Sequence, residues 1–154
     1  MSNDDHDELH LEMHRAIDQL GKYAIKLQLD FGAGVSKEEL KSLINDVMKA
    51  TTDRCMQHGA DIIGHVKSFL VTPEGNLMSS IVEHGQDASM KDGLQTDSIQ
   101  MAEFVLHVIV HGIWDDEVRE QTLEVLEEVL PQHGASYEIL EDYYEMEKGM
   151  DHHK

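Results

Sequence analysis

Cysteine is almost missing from this chain. Cys55 is the single one among 154 residues, which excludes an internal disulfide and any Cys-rich zinc or iron–sulfur site. Its place in an amphipathic helical pattern makes it a small hydrophobe. Positive charge is scarce as well: 12 Lys and Arg stand against 31 Asp and Glu, a formal net charge of −19. Phosphate binding needs a basic footprint, so the balance argues against nucleic acid and against an anionic membrane surface. Long apolar runs are lacking too. None approaches the roughly 18 residues that cross a bilayer, and the acidic stretch from Met1 to Glu8 is unlike a signal peptide, which begins basic and turns apolar. A soluble, cytoplasmic chain is the expectation. Finally, no nucleophile elbow, phosphate-binding glycine loop, dinucleotide fingerprint or Cys-pair metal motif occurs. Familiar catalytic classes therefore have no foothold.

What remains has the composition of a globular protein, with 40% hydrophobic and 28% charged residues. The length fits one domain, expected over residues 1–150, with 151–154 as a loose tail. Acidity is concentrated late: 13 acidic residues lie between Asp115 and Asp151, against Arg119 and Lys148. Such a surface keeps a protein soluble, or docks a basic protein partner.

The segment from Phe104 to Trp114 reads as a buried strand with apolar residues on both faces. Alternation puts His107 and His111 on one face with Val105, Ile109 and Ile113, and Phe104, Leu106, Val108 and Val110 on the other. Upstream, Leu9, Met13, Ile17, Leu20, Ala24, Leu27 and Phe31 recur at steps of three and four and predict a long first helix. Ser36 and Glu39 form a capping box for a second helix, with Leu40, Leu43, Ile44, Val47, Thr51 and Cys55 inward and Gly59 as its stop. The two predict an antiparallel helical hairpin.

Ala60 to Val71 and Leu77 to Val82 predict a β-hairpin around a five-residue loop, Thr72 to Asn76. Residues 83–98 carry no periodic pattern and read as a long loop. The central strand follows, then a helix from Asp115 with Val118, Thr122, Val125, Leu126, Val129 and Leu130 inward, ended by Pro131 and Gly134. A short last helix is expected after Ser136, carrying Ile139, Leu140, Tyr143 and Tyr144. The predicted fold is α+β, in the order ααβββα plus a short helix, around a three-stranded sheet. Such a sheet can cover one face with helices. The other must meet something else, which predicts a homodimer or higher homo-oligomer.

Chemistry could sit on that second face. If the first hairpin strand neighbours the central strand, His65 and Lys67 lie near His107 and His111. His65, His107 and His111, with Asp61 or Asp115 as oxygen donor, would suit a divalent transition metal such as zinc, nickel, copper or iron(II). A one-residue slip in register would disperse the cluster. Asp115 or Asp116 can cap the helix, or serve a histidine as ligand or base. Trp114, the sole tryptophan, is expected as a core or interface anchor. His6, His10 and His14 at helical spacing, with His152 and His153, could bind metal at the termini.

These readings favour a non-catalytic, homo-oligomeric acidic binding or accessory protein. A small metal-dependent enzyme and a metal-handling protein are the alternatives.

Overall fold

The computed structural model describes residues 20–146. The expectations for residues 1–19 and 147–154, among them the terminal histidines and the tail, lie outside the described residues.

The second helix forms as its caps demand. α1 runs Lys37–Gln57, the Ser36 side chain accepts from the Glu39 amide, and the Glu39 carboxylate accepts from the Ser36 amide. Leu40, Leu43, Ile44, Val47, Thr51 and Cys55 are all buried. Gly59, at φ +113°, lets the chain turn away. α2 spans Asp115–Gln132 and buries Val118, Thr122, Val125, Leu126 and Leu130. Pro131 lies inside its last turn rather than ending it.

The N-terminal helical hairpin does not exist. Residues Leu20–Val35 form β1, because Tyr23, Ile25, Leu27, Leu29 and Phe31 alternate strictly with Lys22, Ala24, Lys26, Gln28 and Asp30. The first set is buried against the helices. Leu27 and Phe31 are four apart, a spacing that strands and helices share. The period of two decides the outcome.

The hairpin strands are β2, Ile62–Thr72, and β3, Gly75–Ile81. Thr72 pairs with Gly75, so only Pro73 and Glu74 lie between, not a five-residue loop. Gly75 sits at φ +119°, and a Cβ there would stand 2.1 Å from the Gly93 carbonyl oxygen, so no other residue fits. Within residues 83–98 a fourth strand, β4, Ser89–Asp92, pairs with β3. Side chains of α1 hold this segment: Asn45 and Lys49 grip Asp87 at 3.1 and 3.0 Å, and Lys41 reaches Asp92 at 2.8 Å. β5 is Ile99–His111, and β6, Ser136–Asp142, replaces the expected last helix. One helical turn, residues 143–146, follows.

The result is a six-stranded antiparallel sheet in the order β4-β3-β2-β5-β1-β6, not a three-stranded one. The β1-α1-β2 and β5-α2-β6 units interleave as a split β-α-β arrangement, widened by β3 and β4. Both helices lie on one face of the sheet and pack against each other. Arg54 of α1 ties them together by pairing with Glu124 at 3.0 Å and with Glu128. The core lies between this helical layer and the inner row of Phe104, Leu106, Val108 and Val110. No described helix is long and apolar enough to cross a membrane.

Candidate functional site

Neither α1 nor α2 lies over the opposite face of the sheet, and its side chains follow directly from the strand register. His111 pairs with Leu20 on one side and Ile62 on the other. The next row on that face is Lys22, Ile109 and His65. Then come Ala24, His107, Lys67, Ser80 and Ser89, and beyond them Lys26, Val105, Phe69, Met78 and Lys91. Simple alternation along this strand would put Ile63 on the face of His65, Lys67 and Phe69 and Ile62 on the core side; a β-bulge between Ile63 and His65 reverses this, so Ile63 turns into the core and Ile62 is 62% exposed. His65, Lys67 and Phe69 do share the face with His107, as β2–β5 pairing requires.

The four predicted metal ligands do not converge. His111 holds Asp61 through Nδ1 at 2.6 Å, and Asp115 accepts the Lys22 backbone amide at 2.9 Å. Asp115 therefore pins the start of β1 instead of capping α2, whose N-cap is Trp114 without a side-chain bond. His65 and His107 remain as diagonal neighbours across Ile109. Among the described residues, no group of three or more His, Cys, Asp or Glu side chains could hold a metal ion. Nor is His111 built as a general base. Its Nε2 is buried without a hydrogen-bond partner among the described residues, so no reactant reaches it. Asp116 is exposed in the first turn of α2, and Trp114, 60% exposed, is no core residue.

Charge is distributed unevenly. Lys26, Lys41, Lys49, Arg54 and Arg119 are each paired with a carboxylate. Lys22, Lys37, Lys67 and Lys91 have no ion pair with any described carboxylate, and all but Lys37, at the start of α1, belong to the open face. Acidic residues gather toward β6: Glu103, one row further on, pairs with Lys26 at 3.6 Å, and Glu141 and Glu138 stand opposite Lys26 and Gln28 in the β1–β6 register. Partial burial, with His65, Lys22 and Lys67 close by, holds the His107 imidazole below the usual histidine range. Lys67, Phe69, Met78, Ser80, Ser89, Lys91, Val105 and His107 line a groove of about 390 Å³, together with Ser68, Ser79 and Met90. No carboxylate lines it. A chemically inert thiol completes the picture: burial, then Glu117, pushes Cys55 up to about 12.

Sequence reasoning found His65, Lys67 and His107 on this face but missed Lys22, Ser80, Ser89 and Lys91. Lys22 was hidden by the helical reading of β1. Ser80 follows from the β2–β3 pairing, and Ser89 and Lys91 depend on β3–β4 pairing, for which the Gly- and Ser-rich stretch gives no local signal.

No family model matches the sequence, and no curated protein matches it. Among solved structures it is similar to the Zn(II)-bound YjiA GTPase of E. coli, at 14% identity and a TM-score of 0.34. A Zn(II)-bound triple mutant of YjiA GTPase matches at 13% identity and a TM-score of 0.33. Each match covers 70% of this chain, which spans only 30% of the GTPase's length.

Proposed function

We infer that this is a non-catalytic binding or accessory protein whose working surface is the open face of the sheet. One observation carries the reading: among the described residues α1 and α2 cover one side of a wide sheet, and the other side collects apolar groups together with lysines that have no described carboxylate partner, within an otherwise acidic protein. Contiguous apolar surface of this kind marks interaction sites more often than idle ones. The metal-dependent alternatives draw no support from His65, His107, His111 and Asp115, two of which are committed to other partners.

A second reading, self-association, is favoured at the end of the face. There Leu20 and Ile62 flank His111, and Ile62 is 62% exposed. Pairing two whole faces would oppose Lys22, Lys26 and Lys67 with their own copies, so a homo-oligomer suits this apolar end better than the centre.

Surface labelling tests the inference. Diethyl pyrocarbonate should modify His65 and His107 in the dilute purified protein and modify them far less in the cells that produce it. Equal modification in both would remove the basis for a working surface here. Protection that appears in the purified protein only as its concentration rises assigns the cover to a second copy.

A further inference from the structure

The groove across β2, β3, β4 and β5 has a composition the rest of the molecule lacks. Its floor is apolar, made by Phe69, Met78 and Val105. Its walls carry Lys67, His107 and Lys91, with the Ser80 and Ser89 hydroxyls between them. Register fixes this arrangement: His107, Lys67, Ser80 and Ser89 are consecutive cross-strand neighbours, and Val105, Phe69, Met78 and Lys91 form the adjacent row. Polar donors thus converge along one line and apolar surface lies beside it. The volume of about 390 Å³ falls in the range of sites for small organic molecules.

Charge identifies the ligand class. Neither of the groove's two lysines has a carboxylate partner among the described residues, whereas five of the other described basic residues do. Lys67 stands beside the His107 ring, a hydrogen-bond donor even when neutral, and Lys91 extends from the next row two strands away, a donor set that suits an anion. The hydroxyls of Ser80 and Ser89 can donate to the same oxygen atoms. A purely inorganic anion would leave Phe69, Met78 and Val105 bare.

We propose that this groove binds a small organic anion, with its carboxylate held by Lys67 and His107 beside the serine hydroxyls and its apolar body over Phe69, Met78 and Val105. The proposal rests on the reading of the open face as the working surface and adds the chemistry of the occupant.

Three naphthalene probes of similar shape test it on the full chain by calorimetry and NMR: naphthoate, the neutral naphthylmethanol and the cationic naphthylmethylammonium. Naphthoate should bind saturably at one site and shift the signals of Lys67, Phe69, Ser80 and His107. Added salt should weaken it. The neutral probe should bind at least about tenfold more weakly and the cation not measurably, as expected on losing a charge-assisted hydrogen bond. Lys67→Gln and His107→Gln should each lower naphthoate affinity by about tenfold, Lys67→Arg should retain it, and Glu120→Gln on the outer surface of α2 should change nothing. All these side chains are on the surface, and unchanged melting would confirm intact folds. Equal binding of the neutral probe, or no saturable naphthoate binding, overturns the proposal. If naphthoate fails while His65 and His107 are still protected in cells, the ligand class is wrong and the working surface stands. If both fail, neither holds.

Discussion

His107 shows how a single side chain reports on the face it occupies. It stands beside Lys67 in the register, diagonal to His65, and shares a cavity of about 60 Å³ with Lys22, Tyr23, Ala24, Tyr143 and Tyr144. Desolvation comes first and the charges of His65, Lys22 and Lys67 follow, all favouring the neutral ring. The folded pKa is therefore below the unfolded value of about 6.5. As pH falls through that value, the unfolded chain takes up the proton before the folded one. Stability should be complete above about pH 6.5 and decline as pH falls toward the folded value. NMR titration should show His107 titrating below an ordinary histidine. Lys67→Gln should bring its midpoint back up and narrow the window of pH-dependent stability. A midpoint that does not move would mean that Lys67 is not felt by the ring.

At the scale of elements, α1, α2, β2, β3 and β5 announce themselves, and β1, β4 and β6 do not. α1 needs only Ser36, Glu39 and its apolar stripe, all local information. Ser36→Ala should therefore cost about 1 kcal/mol, measured by urea denaturation, since it removes the hydroxyl that accepts the Glu39 amide. β1 was obscured by coincidence: Leu20, Ala24, Leu27 and Phe31 fit helical steps, but Leu20 and Ala24 lie on the open face while Leu27 and Phe31 are buried. β6 carried the same ambiguity, because adjacent Ile139 and Leu140 imitate a helical stripe. Both are 41–45% exposed, so neither supplies the core contact that such a stripe implies. The candidate site was legible to the same extent. Alternation placed His65, Lys67 and His107 together, and β2–β5 pairing confirmed it. Ser89 and Lys91 arrive through a strand that is held in place by Asn45, Lys49 and Lys41 from a distant helix, and no short window of sequence contains that information.

For the molecule as a whole, the two sides of the sheet differ in kind. One carries the helical layer, whose outer surface includes Glu120, Glu124, Glu127 and Glu128, all exposed. The other carries Lys22, Lys67 and Lys91. Repulsion among 31 acidic side chains works against the compact state, and added salt should raise the melting temperature by screening it. That response distinguishes the acidic surface from the groove, where salt acts in the opposite sense by weakening an anion's hold.

Among the described residues, β6 has a partner on only one side, β1. Its far margin, among the described residues, is a row of unsatisfied amide and carbonyl groups next to the exposed Ile139 and Leu140. Glu138, Glu141 and Asp142 surround that row, so like charge is what keeps two molecules from joining there. The guard is only as durable as its ionisation. As acidity approaches the isoelectric point near pH 4.7, the carboxylates lose their charge and the margin becomes a template. The chain should then assemble into β-rich aggregates that bind thioflavin T, and Ile139→Lys should delay their onset.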